Sequence, residues 1–259
     1  MNMEFVTIGY PNNPPDRWRL GCVPYEYEIG KYQVSNADWA EFVESTGDMS
    51  FVHKDMKTGI LGGWNKPEWA KKPVTYIRYE DACRFCNWMM TGDTERGAYD
   101  MRKVPPKRLV GAVYFLPNED EWYKAAYWRQ DEKRYVKYPT GDTIPELDEA
   151  NFERGDDFSV GAPYYFADVD AFADHATREG VVQLGGNAWE LLENVTRNRS
   201  GKLENHYRGG SFGYTETGLS KGNCDTAPYN GRCYVFGFRV ARIKNGWRRI
   251  RKPLIYGIT

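Results

Sequence analysis

Residues 208–242 read RGGSFGYTETGLSKGNCDTAPYNGRCYVFGFRVAR. The two ends of this stretch look like fixed structure. Gly209 and Gly210 let the backbone turn or pass close to another segment, and Ser211 and Phe212 follow at once. Residues 237–242, GFRVAR, alternate apolar with basic, which is the period-two pattern of a half-buried strand. Between these ends lie Gly, Tyr, Asn, Asp, Thr, Ser and Lys, a mixture that suits exposed loops and adaptable contact surfaces better than a core.

Upstream, strand and helix signals are sharp. Residues 5–8 (FVTI) and 25–34 (YEYEIGKYQV) read as strands. Ser35 with Asp38 three residues on forms a capping box, and Trp39, Phe42 and Val43 give the helix that follows an apolar face, ended by Gly47. A second helix is expected over 80–90, with Ala82, Cys83, Phe85, Cys86, Met89 and Met90 on one broad face. Residues 113–118 (VYFLPN) read as a short strand. Asn118 then caps a third helix with Glu121 as its partner, Trp122, Ala125 and Ala126 facing inward. Residues 49–72 read as a loop, and residues 92–111 as a polar, Pro-rich excursion.

The chain has 259 residues, enough to bury a sizeable core. Its 35 basic and 36 acidic residues leave a net charge of −1, so no global field points to nucleic acid or to an anionic membrane. Aromatics make up 15%, and Tyr and Trp serve packed cores and contact surfaces alike. Five cysteines, Cys22, Cys83, Cys86, Cys224 and Cys233, are an odd number and argue against a disulfide-built scaffold. No signal peptide and no apolar run of transmembrane length is visible, so the expectation is a cytoplasmic chain or a mature secreted form.

Several of these segments together resemble the formylglycine-generating enzyme (sulfatase-modifying factor) family. RGGSF followed at this distance by GFRVA is similar to its C-terminal signature. IGKYQVSNADWAEF, FLPNEDEWYKAAYW and GGNAWE are similar to its IGKYEVTNAQYAEF, FLPTEDEWYKAAYY and GNVWEW segments, and residues 73–88 follow its PV..V.W.DA..FC.W pattern. The resemblance runs from about residue 5 to 242. It implies an α+β domain of C-type-lectin-like fold, short helices on small antiparallel sheets with high loop content, over residues 1–242. Residues 235–241 are expected in such a sheet. Residues 243–259 form a basic extension around Trp247.

The resemblance also sets out the chemistry. The family's redox-active, copper-binding thiols stand as GGS-x-x-C-x4-C, and the corresponding positions here are Tyr214 and Leu219. Neither can ligate copper(I) or exchange disulfides, so no copper and no oxidase activity of the usual kind is expected. The family's structural calcium falls by position on Gln183, Gly186, Ala188 and Glu190. The donors suit a hard ion, though Gln183 stands where the family has Asn. The alternative is a tight turn holding Trp189 in the core. A second calcium site would begin at Asn151-Phe152, but Gly161 replaces its later aspartate.

Cys83 and Cys86 form a CxxC inside a helix, which reads as buried structural cysteine. Cys224 and Cys233 could bridge locally or stay as thiols. His53, His175 and His206 are isolated in sequence, and Ser211 reads as a backbone-bonding hydroxyl. No P-loop, dinucleotide glycine pattern or nucleophile elbow occurs.

The expected function is a non-catalytic binding protein that presents Tyr214, Thr215, Glu216, Lys221, Asn223, Asp225, Tyr229, Asn230, Arg232 and Tyr234 to a protein or small-molecule ligand. The frame spacing is similar to that of variable proteins of diversity-generating retroelements, a subset of the family. The competing reading is an iron- or copper-dependent oxidoreductase of the same superfamily that lacks the cysteine pair. No nucleic acid partner and no membrane span is expected.

Overall fold

Two reciprocal caps start helices where the sequence places them. The Ser35 Oγ accepts from the Asp38 N–H at 3.1 Å while the Asp38 carboxylate accepts from the Ser35 N–H at 2.9 Å. Asn118 and Glu121 exchange the same pair of bonds at 2.9 and 2.7 Å. Each cap contributes about 1 kcal/mol and fixes where its helix begins.

The computed structural model describes residues 2–58 and 63–243. In chain order the main elements are strands β1 (Phe5–Ile8) and β2 (Tyr27–Gly30), helices α1 (Asn36–Thr46) and α2 (Tyr79–Thr91), strand β3 (Tyr114–Phe115) and helix α3 (Glu119–Tyr127). There follow the long hairpin β4 (Trp189–Arg197) and β5 (Leu203–Arg208), the helical turn α4 (Glu216–Leu219), and strands β6 (Asp225–Pro228), β7 (Phe236–Gly237) and β8 (Ala241–Arg242). Of the two four-stranded sheets, β1-β2-β8-β3 is antiparallel throughout and β6-β5-β4-β7 is mixed. Residues 49–72 are not plain loop: they hold 3-10 turns at Met49–Phe51 and Pro67–Trp69 and a short helix at Lys54–Thr58. The excursion over 92–111 contains a two-residue hairpin, Tyr99–Asp100 with Lys107–Arg108. No helix of the described residues is long and apolar enough to cross a membrane.

The expected strand over 235–241 is divided between the two sheets. Phe236 and Gly237 pair with Trp189 and Glu190, and this pairing is parallel. Ala241 sits between Ile29 and Phe115, antiparallel to both. Residues 238–240 cross the core between them, held by Val34 N–H to Phe238 O (3.0 Å) and Gly30 N–H to Val240 O (2.7 Å). Phe238 stands edge-on to Trp39 and Phe85, at 5.9 and 5.4 Å between centroids, while Trp39 and Phe85 stack at 5.6 Å. The apolar faces of α1 and α2 therefore meet the C-terminal strand in one aromatic core, and each ring there buries enough surface to contribute a few kcal/mol.

The frame reaches at least Ile243, whose N–H bonds to Val113 O at 3.1 Å. The basic extension lies, from residue 244 on, outside the described residues. At the start of the loop, Gly210 has φ +75°, and a Cβ there would meet the Gly218 carbonyl carbon at 3.0 Å. The close backbone approach expected of the glycine pair is present, between the RGGSF turn and α4.

Candidate functional site

The interval between Phe212 and Phe236 supplies β6, one edge of the β6-β5-β4-β7 sheet, and ends at β7, the opposite edge. The ten residues expected to form its contact face divide into two groups. Tyr214, Thr215, Asp225 and Tyr234 are exposed. Tyr214 leaves 42% of its surface open and stands perpendicular to buried Trp189, 5.0 Å between centroids. Tyr234 leaves 45% open and lies against Phe212 at 6.4 Å. The remaining six are half-buried; four of them fasten the loop to the body and a fifth, Asn223, bonds within the loop. Tyr229 donates to Glu80 Oε1 at 2.9 Å, and Asn230 Oδ1 accepts from the Glu80 N–H at 3.2 Å. Arg232 donates to Tyr76 O at 2.7 Å and pairs with Asp81 at 3.0 Å. Lys221 Nζ donates to Tyr135 O at 2.8 Å, and Asn223 Nδ2 to Gly218 O at 3.3 Å. Glu216 opens α4. Burial lowers the pKa of Lys221 and of Arg232, as it does for cations tied to carbonyls away from water.

The two positions where the family has thiols are structurally unlike. Tyr214 points outward, whereas Leu219 is wholly buried and packs with Tyr138, Ala150 and Phe152. All five cysteines are unpaired; Cys83 and Cys86 are buried and burial pushes both thiols up, in keeping with their reading as structural groups. Ser211 departs from expectation. Its hydroxyl is fully buried and has no hydrogen-bond partner, so it does not bond the backbone.

Beneath the loop lies a buried polar cluster centred on Arg239, a residue the alternation of GFRVAR places outward and the structure turns inward to zero exposure. Its Nε and Nη2 donate to the two oxygens of Glu190 at 2.8 and 2.6 Å. Nη1 reaches Gly30 O and Lys31 O, and Nη2 also reaches Val182 O and Gln183 O. Glu190 accepts further from Trp122 Nε1 at 2.6 Å and Gln33 Nε2 at 3.2 Å. Gln33 also donates to Ala188 O and accepts from Asn187, which in turn accepts from Asn151.

Of the four residues expected to hold calcium, Glu190 and Ala188 thus have their acceptors engaged by protein donors. Gln183 donates to Asp168 O at 2.7 Å, and its Oε1 is buried without a partner, as is Asn151 Oδ1. A calcium ion held by these four would have to displace Arg239 from the one carboxylate of the set, and as arranged the donors do not fit it. Asn187, with φ +63°, and Gly186, with φ +86°, form the tight turn that seats Trp189 in the core.

The histidines are less isolated in space than in sequence. His53 lies 3.5 Å from Asp55 and stacks on Tyr76, and His175 lies 3.7 Å from Glu149. His206 meets Cys224 and Glu119, a convergence that no spacing in the sequence announces. Burial lowers the pKa of His206 from its ordinary value.

The arrangement is that of a known family. The chain belongs to the sulfatase-modifying factor enzyme 1-like domain family, whose profile matches residues 13–244. It is 27% identical over 184 residues to hercynine oxygenase of Mycolicibacterium thermoresistibile, a match over 66% of this chain and 36% of that protein. The chain spans little more than a third of the length of the curated relatives it matches. Among solved structures it is similar to CarF, with TM-score 0.66 and 17% identity over 93% of this chain and 98% of that one. It is also similar to Treponema denticola variable protein 1, with TM-score 0.53 and 17% identity over 92% and 94% of the two chains. These likenesses establish the formylglycine-generating-enzyme-like fold.

Proposed function

We propose that this chain is a non-catalytic binding protein whose contact surface is the loop interval over residues 212–236. The observation that carries the reading is the division of that interval. Tyr229, Asn230, Arg232 and Lys221 hold the loop to the body, while Tyr214, Thr215, Asp225 and Tyr234 project from it. Rigid aromatic area flanked by small hydrogen-bonding groups on a fixed frame is the composition of a recognition surface. The thiol positions of the family are an outward aromatic and a buried aliphatic, which supports recognition over thiol redox chemistry.

A finer reading follows from the likeness to Treponema denticola variable protein 1: this interval varies between copies, as in a diversity-generating retroelement. A reverse transcriptase gene and a near-copy of the coding stretch beside this gene would support it, and their absence would count against it. For the surface itself, the full chain and its Tyr214→Ala/Tyr234→Ala variant are compared on peptide and glycan arrays. Binding lost in the variant supports the reading, and binding equal in both removes it.

The similarity to hercynine oxygenase favours a second reading, an iron- or copper-dependent oxidoreductase in which Tyr214 takes part. Metal analysis and oxygen uptake separate the two: stoichiometric iron or copper with substrate-dependent oxygen consumption would displace the binding reading.

A further inference from the structure

Three side chains distant in sequence meet at the start of β6. Glu119 opens α3, His206 lies on β5 and Cys224 immediately precedes β6. One ligand atom from each lies within 4.8 Å of the other two, and among the described residues no other three His, Cys, Asp or Glu gather in this way. We propose that Glu119, His206 and Cys224 form a binding site for a zinc-class divalent cation, with a fourth position open to water or an incoming donor.

The donor set has the right chemistry. A thiolate, an imidazole and a carboxylate are the groups zinc takes from proteins, and three protein ligands leave the open position of non-structural zinc sites. With the cation displacing the Cys224 proton, that thiolate and Glu119 together supply two negative charges to a divalent ion. The spacing also suits. His206 Nδ1 and Cys224 Sγ are 3.9 Å apart. On tetrahedral zinc, with ligands at about 2.0 and 2.3 Å, two such atoms stand roughly 3.6 Å apart, so closure needs a few tenths of an ångström.

Each ligand is already oriented by a neighbour. The other ring nitrogen of His206, Nε2, is 2.9 Å from Thr196 Oγ1. With Nε2–H donated to that hydroxyl, Nδ1 presents its lone pair to the site. Arg208 donates to Glu119 Oε1 from Nε at 2.9 Å and from Nη2 at 2.6 Å. Its Nη1 donates to Asn223 O at 2.8 Å and Lys221 O at 3.2 Å, the backbone that leads into Cys224. One buried arginine thus positions two of the three ligands, with four of its five N–H donors on these acceptors. Cys224 is exposed, which gives a cation a way in. The inference goes beyond the binding-surface reading and stands or falls separately from it.

The test is a titration of the reduced, metal-free full chain with Co²⁺, followed by displacement with Zn²⁺. The expected result is one equivalent bound, with thiolate-to-cobalt charge transfer and tetrahedral ligand-field absorption, both abolished when zinc is added. Cys224→Ser should remove the charge-transfer band, and its unchanged unfolding midpoint would show that the fold persists. His206→Gln should weaken binding by at least about tenfold, and Thr196→Val by about tenfold through loss of ring orientation. Cys233→Ser should change nothing. Absence of charge transfer at one equivalent overturns the proposal. So does a band that survives Cys224→Ser or that Cys233→Ser removes.

Discussion

Replacing Arg239 with Met removes the hub of the buried polar cluster while nearly preserving its volume. The loss is calculable in outline. Glu190 would keep Trp122 and Gln33 as donors but lose its only guanidinium, at 2.6 and 2.8 Å, and four backbone carbonyls would lose a donor. Breaking a buried ion pair by deleting one partner costs about 3–5 kcal/mol, because the remaining charge is left in a poorly polarisable interior. For a chain of this size each kcal/mol lowers the melting temperature by roughly 2–4 °C, so a fall of about 10 °C or more is expected. Urea unfolding of wild type, Arg239→Met, Glu190→Gln and the double variant gives the assay. The double variant should recover about 1–2 kcal/mol of the Arg239→Met loss, since no unpaired charge remains. An Arg239→Met variant within about 0.5 kcal/mol of wild type would refute the account of the cluster. So would a double variant whose loss is the sum of the two single ones.

Gly186→Ala should be severely destabilising, because φ is +86° and the new Cβ would lie 2.2 Å from Asn151 O; thermal unfolding checks it. Arg232→Ala should cost about 1–3 kcal/mol through its charged bonds to Asp81 and Tyr76 O, whereas Tyr214→Ala and Tyr234→Ala should cost about 0.5–1.5 kcal/mol each through their ring contacts with Trp189 and Phe212, read from urea midpoints. Burial raises Glu193 from 4.5 to about 7, opposed by Arg108 at 2.8 Å. Because its folded pKa is the higher one, its contribution is complete below pH 4.5 and is lost as the pH rises through about 7. The slope is at most about 1.4 kcal/mol per pH unit, and Glu193→Gln should flatten it. Millimolar calcium should leave the unfolding midpoint unmoved, since a bound ion at 100 times its Kd would add about 2.7 kcal/mol.

Local signals in the sequence carried the frame well. The cap at Ser35, the stop at Gly47, the cap at Asn118 and the apolar face around Phe85 all depend on neighbours within one or two helical turns, and the structure has each of them. The reading lost ground where a residue's role depends on distant partners. The alternation in GFRVAR assigns Arg239 to solvent, but Glu190 and four carbonyls make burial of that guanidinium the satisfied arrangement. Tyr229, Asn230 and Arg232 look like contact residues by composition; their partners, Glu80, Asp81 and Tyr76, lie some 150 positions earlier. Glu119, His206 and Cys224 give no spacing signal because three separate elements deliver them.

Strand β8 fills the gap between β2 and β3, which makes synthesis order matter. A ribosome that has released only the first two hundred residues has produced both flanking strands and nothing to join them. The sheet, and with it the ceiling over the Trp39–Phe85 stack, closes when residues 238–242 have cleared the exit tunnel. Chains that lack residues 238–242 should remain open to protease and chaperone, and those that present them should acquire native resistance.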